Sequence, residues 1–299
     1  MTHKDAPLSL GTVAIIGFGL IGSSLARVIK AKRLSDSLIA VDVNQAILEM
    51  AKSLDLADDY QTLDGFSARA GTANFIIIAT PMGAIGEVLQ SLTQAKGGAV
   101  ITDVGSVKSP VIAEIKKRMM EHRFVPGHPI AGTENSGPAA GFAELFQGRW
   151  CILTPIDGVT DDDALAKVKF LWQQAGSNIA EMSADHHDRV LAITSHLPHL
   201  IAYSTVGTAT LLEDHLQAEV IKYSASGFRD FTRIAASDPI MWRDIFLNNR
   251  GPVLEMVQRL QEELALLQRA IRRGDGEELE KYFTRTRAIR RKIIDAKQA

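Results

Sequence analysis

Residues 12–22 read TVAIIGFGLIG. A short apolar run ends in glycine, and a helical pattern, SSLARVIKAK over 23–32, opens directly behind it. A glycine-rich turn between a buried strand and a helix commits the chain to a βαβ unit and a parallel sheet. In GFGLIG, Gly17 permits the tight turn, Gly19 lets the backbone approach a pyrophosphate, and Gly22 lets helix and strand pack closely. Phe18, Leu20 and Ile21 complete the loop. The helix N-terminus supplies unpaired N–H groups and partial positive charge for phosphates.

The rest of the first half repeats that alternation. LIAVDV (38–43), FIIIAT (75–80) and AVITDV (99–104) read as strands, and 45–55 and 84–95 as helices. RWCILTP (149–155) adds a strand and 162–176 a helix. Asp42 ends the second strand, where a carboxylate accepts hydrogen bonds from ribose hydroxyls and repels a 2′-phosphate. NAD is therefore expected over NADP. Thr80 and Pro81 begin a loop at the carboxyl edge of the sheet, placed to run past the cofactor ribose, or serving as a plain β–α turn.

After residue 183 the strand-like runs stop. The pattern predicts a dinucleotide-binding domain over 9–183 and a helical substrate and dimerisation domain over 184–299. Residues 187–212 read as a long helix bent by Pro198. Asp238-Pro239 is a helix start. Val253, Val257, Leu260, Leu264, Leu267 and Ile271 alternate spacings of four and three, a coiled-coil-like seam. Either this chain's own helices or a second copy covers it. Gly274-Asp275-Gly276 then turns into a final helix.

VPGHPIAGTE (125–134) sets a histidine among turn formers, so His128 is expected on a loop. Ser106 in TDVGSVK leaves the same sheet edge and is expected within hydrogen-bonding reach of His128, fixing its tautomer. A neutral imidazole there can accept a proton from a substrate hydroxyl while hydride leaves the same carbon. His187-Asp188 reads as helix capping or domain contact, and Trp242 as core.

GFGLIG, TDVGSVK, GHPIAGTE, SHLPH and GFRDFTRIAASDPIMWRDI together resemble the prephenate/arogenate dehydrogenases of tyrosine biosynthesis, over roughly 11–295. The resemblance implies an α/β fold: an N-terminal Rossmann-type, doubly wound parallel sheet followed by an all-α dimerisation domain. It implies NAD-dependent oxidative decarboxylation of a cyclohexadienyl ring bearing a hydroxyl and a carboxylate. Carried over by motif, His128 is the acceptor for the ring hydroxyl, and Ser106 orients it and touches the cofactor. Thr133 and Glu134 line the pocket entrance. His199 is a substrate-side histidine, with Ser195 and His196 beside it. Arg233 holds a substrate carboxylate, and Arg229, four residues earlier, is expected on the same helix face.

Other classes are weighed against this one. A β-hydroxyacid dehydrogenase would use a lysine where this chain has SHLPH. A non-catalytic NAD-sensing dimer would not need His128, Ser106 and Arg233 together. The 33 basic and 35 acidic residues give a net charge of −2, which argues against a nucleic-acid surface. No run reaches the length of a membrane span, roughly 18–20 apolar residues. Cys151 is the only cysteine, so no intrachain disulfide forms and a cytoplasmic enzyme is expected. No metal site is expected, since the histidines lack a familiar ligand spacing. The expected partners are a small-molecule substrate and a second copy bound through the C-terminal helices.

Overall fold

The computed structural model describes residues 9–93, 98–133, 135–209, 211, 219, 222–223 and 225–295. Eight strands form one sheet in the order β3-β2-β1-β4-β5-β6-β7-β8. They are β1 (Thr12–Ile16), β2 (Ser37–Asp42), β3 (Asp59–Thr62), β4 (Phe75–Ile78), β5 (Val100–Asp103), β6 (Phe124–Pro129), β7 (Trp150–Leu153) and β8 (Asn178–Glu181). The first six follow the order of a doubly wound dinucleotide fold, and β1 and β4 flank its switch point.

The apolar runs are continuous because both faces of the central strands are covered. Val13 and Ile15 of β1 join Phe75 and Ile77 of β4 on one face. Ala14, Ile16, Ile76 and Ile78 fill the other. Helices α1 (Leu20–Lys32), α2 (Gln45–Ser53), α3 (Leu63–Ser67), α4 (Ile85–Leu92), α5 (Ser109–Lys117) and α6 (Asp162–Gln174) accompany the sheet.

The sheet departs from the expected parallel form at one place. β7 runs antiparallel to β6, pairing His128 with Ile152 and Gly127 with Leu153. Pro126 marks the change: it is the last residue of β6 in register with β5, opposite Asp103. Proline has no N–H to give a ladder, so the chain changes partners there. His128 accordingly lies on a strand, not on a loop, two residues beyond the proline.

Beyond Glu181 the elements among the described residues are helices: α7 (Ala184–Leu191), α8 (Leu197–Ala209), α9 (Ser226–Thr232), α10 (Pro239–Asn248), α11 (Arg250–Arg273) and α12 (Gly276–Asp295). The bend expected at Pro198 is a π-helical turn over Ala192–His196, which joins α7 to α8 just before the proline. Asp238 caps α10 by accepting from the Met241 N–H at 2.8 Å. Residues up to Arg250 form one compact unit and those from Gly251 a second. Within the second unit, Leu264 and Ile271 of the seam are 54% and 67% exposed. No helix among the described residues is long and apolar enough to cross a membrane.

Candidate active site

The glycine loop is built from backbone. Gly17 has φ +96°, and a Cβ there would lie 2.5 Å from the Ala79 carbonyl. A Cβ on Gly22 would lie 2.0 Å from the Gly17 carbonyl oxygen, so only glycine lets α1 start this close to β1. Gly19, by contrast, would add a Cβ into open space. Gly19 also precedes α1 with no side-chain cap, which leaves the helix N–H groups turned to that space. The two observations fit a pyrophosphate. Asp42 ends β2 and accepts from the Phe18 N–H at 2.9 Å and the Asn44 N–H at 2.9 Å. Its carboxylate thus ties β2 to the loop and keeps lone pairs for ribose hydroxyls. Thr80 lies at the same sheet edge, and its buried hydroxyl has no hydrogen-bond partner. An orphaned buried hydroxyl is costly unless a ligand satisfies it.

The second cluster is built from side chains that meet across the fold. His128 Nδ1 lies 2.8 Å from His187 Nε2, and His187 Nδ1 lies 2.8 Å from Asp188 Oδ1. Asp188 also accepts from the backbone N–H groups of Lys108 and Ser109 at 2.8 Å each. Burial pushes the Asp188 carboxyl up, but these hydrogen bonds outweigh it and hold it below its ordinary value. Asp188 is therefore an ionised acceptor, and the network assigns the protons in turn. His187 donates from Nδ1 to Asp188, so its Nε2 accepts from His128 Nδ1–H. His128 is left with an unprotonated Nε2. Burial, then the neighbouring His187, Lys108 and His196, hold the His128 imidazole far below its usual pKa, and it is neutral.

His196, in the π turn, belongs to the same cluster. Asn249 Nδ2 lies 3.0 Å from His196 Nδ1 and 2.8 Å from the Asp188 carbonyl. Asn249 donates to both, which makes His196 an Nε2–H donor, and that buried nitrogen has no partner. Burial lowers its pKa to about 4. His199 donates from Nδ1 to the Ser195 carbonyl at 2.9 Å. It stacks on Trp242 with ring centroids 3.6 Å apart. Burial lowers its pKa, and the charge of Arg233 reaches it and adds to that.

Two expectations about these side chains need correction. Ser106 does not hold the His128 tautomer: no Ser106–His128 hydrogen bond is present, and His187 takes that place. Its distance along the chain hid it, since His187 arrives on a helix 59 residues later. Arg229 and Arg233 do not share one α-helical face. α9 ends at Thr232, and Arg233 opens a tighter 3₁₀ turn over Arg233–Ala236. His187-Asp188 does cap a helix, in keeping with the capping or domain-contact reading: Asp188 receives the N–H groups at the start of α5, about 80 residues earlier in the chain. Ser195 and His196 stand in the π turn beside His199. Thr133 is exposed and accepts from the Asn135 N–H at 3.2 Å, while Glu134 lies outside the described residues. Sequence reasoning missed Asn249, Lys108 and Asp103; the signal for the last two was a pair of opposite charges inside the apolar TDVGSVK stretch.

The profile of the family described as "Prephenate dehydrogenase, nucleotide-binding domain" matches residues 25–181. That of "Prephenate dehydrogenase, dimerization domain" matches 183–285. The chain is 40% identical to a cyclohexadienyl dehydrogenase of Zymomonas mobilis, over 93% of this chain and 94% of the relative. A crystal structure of prephenate dehydrogenase from A. aeolicus, in complex with hydroxyphenyl propionate and NAD+, superimposes with a TM-score of 0.89 at 34% identity, covering 96% of this chain and 100% of that one. The arogenate dehydrogenase of Synechocystis gives a TM-score of 0.78 at 28% identity, covering 94% and 99%.

Proposed function

The chain belongs to the prephenate dehydrogenase family, and from that premise we propose how its residues divide the work. The activity is NAD-dependent oxidative decarboxylation of prephenate and/or arogenate to 4-hydroxyphenylpyruvate and/or tyrosine. The observation that carries the site assignment is the free Nε2 of a neutral His128, turned to an acceptor by the His187–Asp188 chain.

Gly17 to Gly22, Asp42, Thr80 and Pro81 hold the cofactor: the N-terminus of α1 takes the pyrophosphate, and Asp42 takes the ribose hydroxyls. Asp42 supports NAD over NADP. When bound, NAD supplies the acceptor for hydride from the hydroxyl-bearing ring carbon. His128 Nε2 accepts the hydrogen bond of that hydroxyl and stabilises its growing positive character as hydride departs. His187 and Asp188 keep the acceptor lone pair in place. Ser106 stands on the nicotinamide side of His128. Arg233 takes a substrate carboxylate through paired hydrogen bonds, with Arg229 adding positive charge at the rim. His196, an unpaired donor, and His199, stacked on Trp242, complete the substrate side with Ser195, Thr133 and Glu134. Loss of carbon dioxide makes the ring aromatic, so the protein's task is positioning and electrostatics.

The division of labour at residue 183/184, cofactor before it and substrate after it, is part of the same proposal. So is a homodimer through the C-terminal helices, which the two exposed seam residues Leu264 and Ile271 support; Leu264→Asp should then shift elution on size exclusion toward the monomer. The cytoplasm is the proposed compartment, a reading that the lone buried thiol of Cys151 fits. The test is NADH formation on mixing the protein with prephenate or arogenate, each with NAD and with NADP. Turnover with NAD on at least one substrate is expected. No turnover on either would overturn the assignment.

A further inference from the structure

Lys108 is fully buried and lies under the catalytic strand. Its Nζ donates to Asp103 Oδ2 at 2.5 Å and to the Gly127 carbonyl at 2.6 Å. Both charged side chains are 0% exposed. Asp103 answers from the other side: its Oδ1 accepts from the Gly127 N–H at 3.3 Å, and its Oδ2 from the Gly105 N–H at 2.8 Å. The ion pair therefore grips both backbone groups of the residue before His128. It also closes the 103–108 loop that carries Ser106. The grip sits where Pro126 ends the pairing of β6 with β5 and where β6 turns to β7.

A buried ion pair is a poor way to stabilise a fold, since apolar side chains of equal volume often do better. Its presence under a strand that needs exact placement calls for another account. We propose that Lys108, locked to Asp103, is a positioning residue that fixes His128 through Gly127 and keeps its imidazole neutral until the hydroxyl of the substrate engages it. This rests on the reading of His128 as the acceptor. The charged and titratable groups that act on His128 are Lys108 from the loop after β5, His187 from α7 and His196 from the π turn; Asp103 and Asp188 stand behind them, bonded to Lys108 and to His187. β7 brings the Cys151 thiol, which burial pushes up and keeps neutral. Lys108 is the fixed positive charge among them, and its field opposes protonation of both His128 and His187.

The experiment follows the histidine imidazoles by nitrogen-15 NMR in the full chain, wild type against Lys108→Met, together with steady-state turnover of prephenate by NAD. Removing the ammonium eases protonation of His128, so its titration midpoint should rise by about one pH unit. The acid limb of kcat should rise with it. At neutral pH kcat should fall on the order of 10²-fold, with KM for prephenate changed less than about threefold. The double variant Asp103→Asn/Lys108→Met leaves no lone buried charge. It should fold with a Tm at or above that of the wild type and still turn over slowly. Wild-type titration in Lys108→Met, or wild-type kcat in the double variant, would overturn the proposal. If the unmodified protein oxidises neither prephenate nor arogenate, the catalytic reading fails, while the His128 midpoint still decides the role of Lys108.

Discussion

The glycine loop and the histidine cluster stand at the same edge of one sheet and are made in opposite ways. Residues 17–22 work through backbone, in one contiguous turn whose shape depends on two missing Cβ atoms. His128, His187, Asp188, His196 and Asn249 work through side chains drawn from a strand, a helix, a π turn and the turn that closes α10. The first arrangement suits a diphosphate that every dinucleotide carries. The second suits one small substrate, because each proton position is set by the next residue in the chain of hydrogen bonds.

The contrast breaks most visibly at His128. His128→Asn keeps a polar side chain without a neutral imidazole lone pair. It should lower kcat by about 10²–10⁴-fold with little change in KM, read from NADH formation under saturating NAD. The backbone half breaks differently. Gly22→Ala places a Cβ against the Gly17 carbonyl and should cost roughly 2–4 kcal/mol in a urea titration, together with NAD binding. Gly19→Ala meets nothing in the protein, so it should leave stability unchanged and weaken only NAD binding.

Acid should expose the cluster next. The His196 imidazole falls from 6.5 to about 4 on folding, so the unfolded chain binds more protons between those values. Stability rises with pH across that window and is lost on acidification through it. For His196 alone the loss is about 3 kcal/mol, and urea midpoints between pH 7 and 4 measure it. His196→Phe should flatten part of that slope. The smallest effect is expected at the carboxylate-binding arginine, where Arg233→Ala should raise KM for prephenate by roughly 10-fold to 100-fold and spare kcat.

The same contrast explains what the sequence made legible. Strands β1, β2, β4, β5 and β7 and the turn at Gly17–Gly22 were readable because their signals are local: apolar runs, glycines and a following helical period. β6 was hidden because Pro126 and Gly127 in FVPGHP resemble a turn. The sheet tolerates them only where the strand changes partners and Asp103 and Lys108 take over the free backbone groups. His128 itself was legible, but its partner was not, because a hydrogen bond between residues 59 apart leaves no period or spacing behind. Ser106 was the nearer candidate in sequence and the wrong one for the tautomer. Arg233 is proposed from its motif alone, while the tightening of the helix that separates it from Arg229 had no local signature.

The central claim is that a neutral His128, with Nε2 free, receives the ring hydroxyl beside the nicotinamide. A crystal structure of the wild-type protein with NAD and 4-hydroxyphenylpyruvate measures this directly. The phenolic oxygen is predicted within about 3.2 Å of His128 Nε2, with His187 still on Nδ1 and Arg233 on the carboxylate end. A phenolic oxygen held by other groups, with His128 Nε2 turned away from the ring, would contradict it.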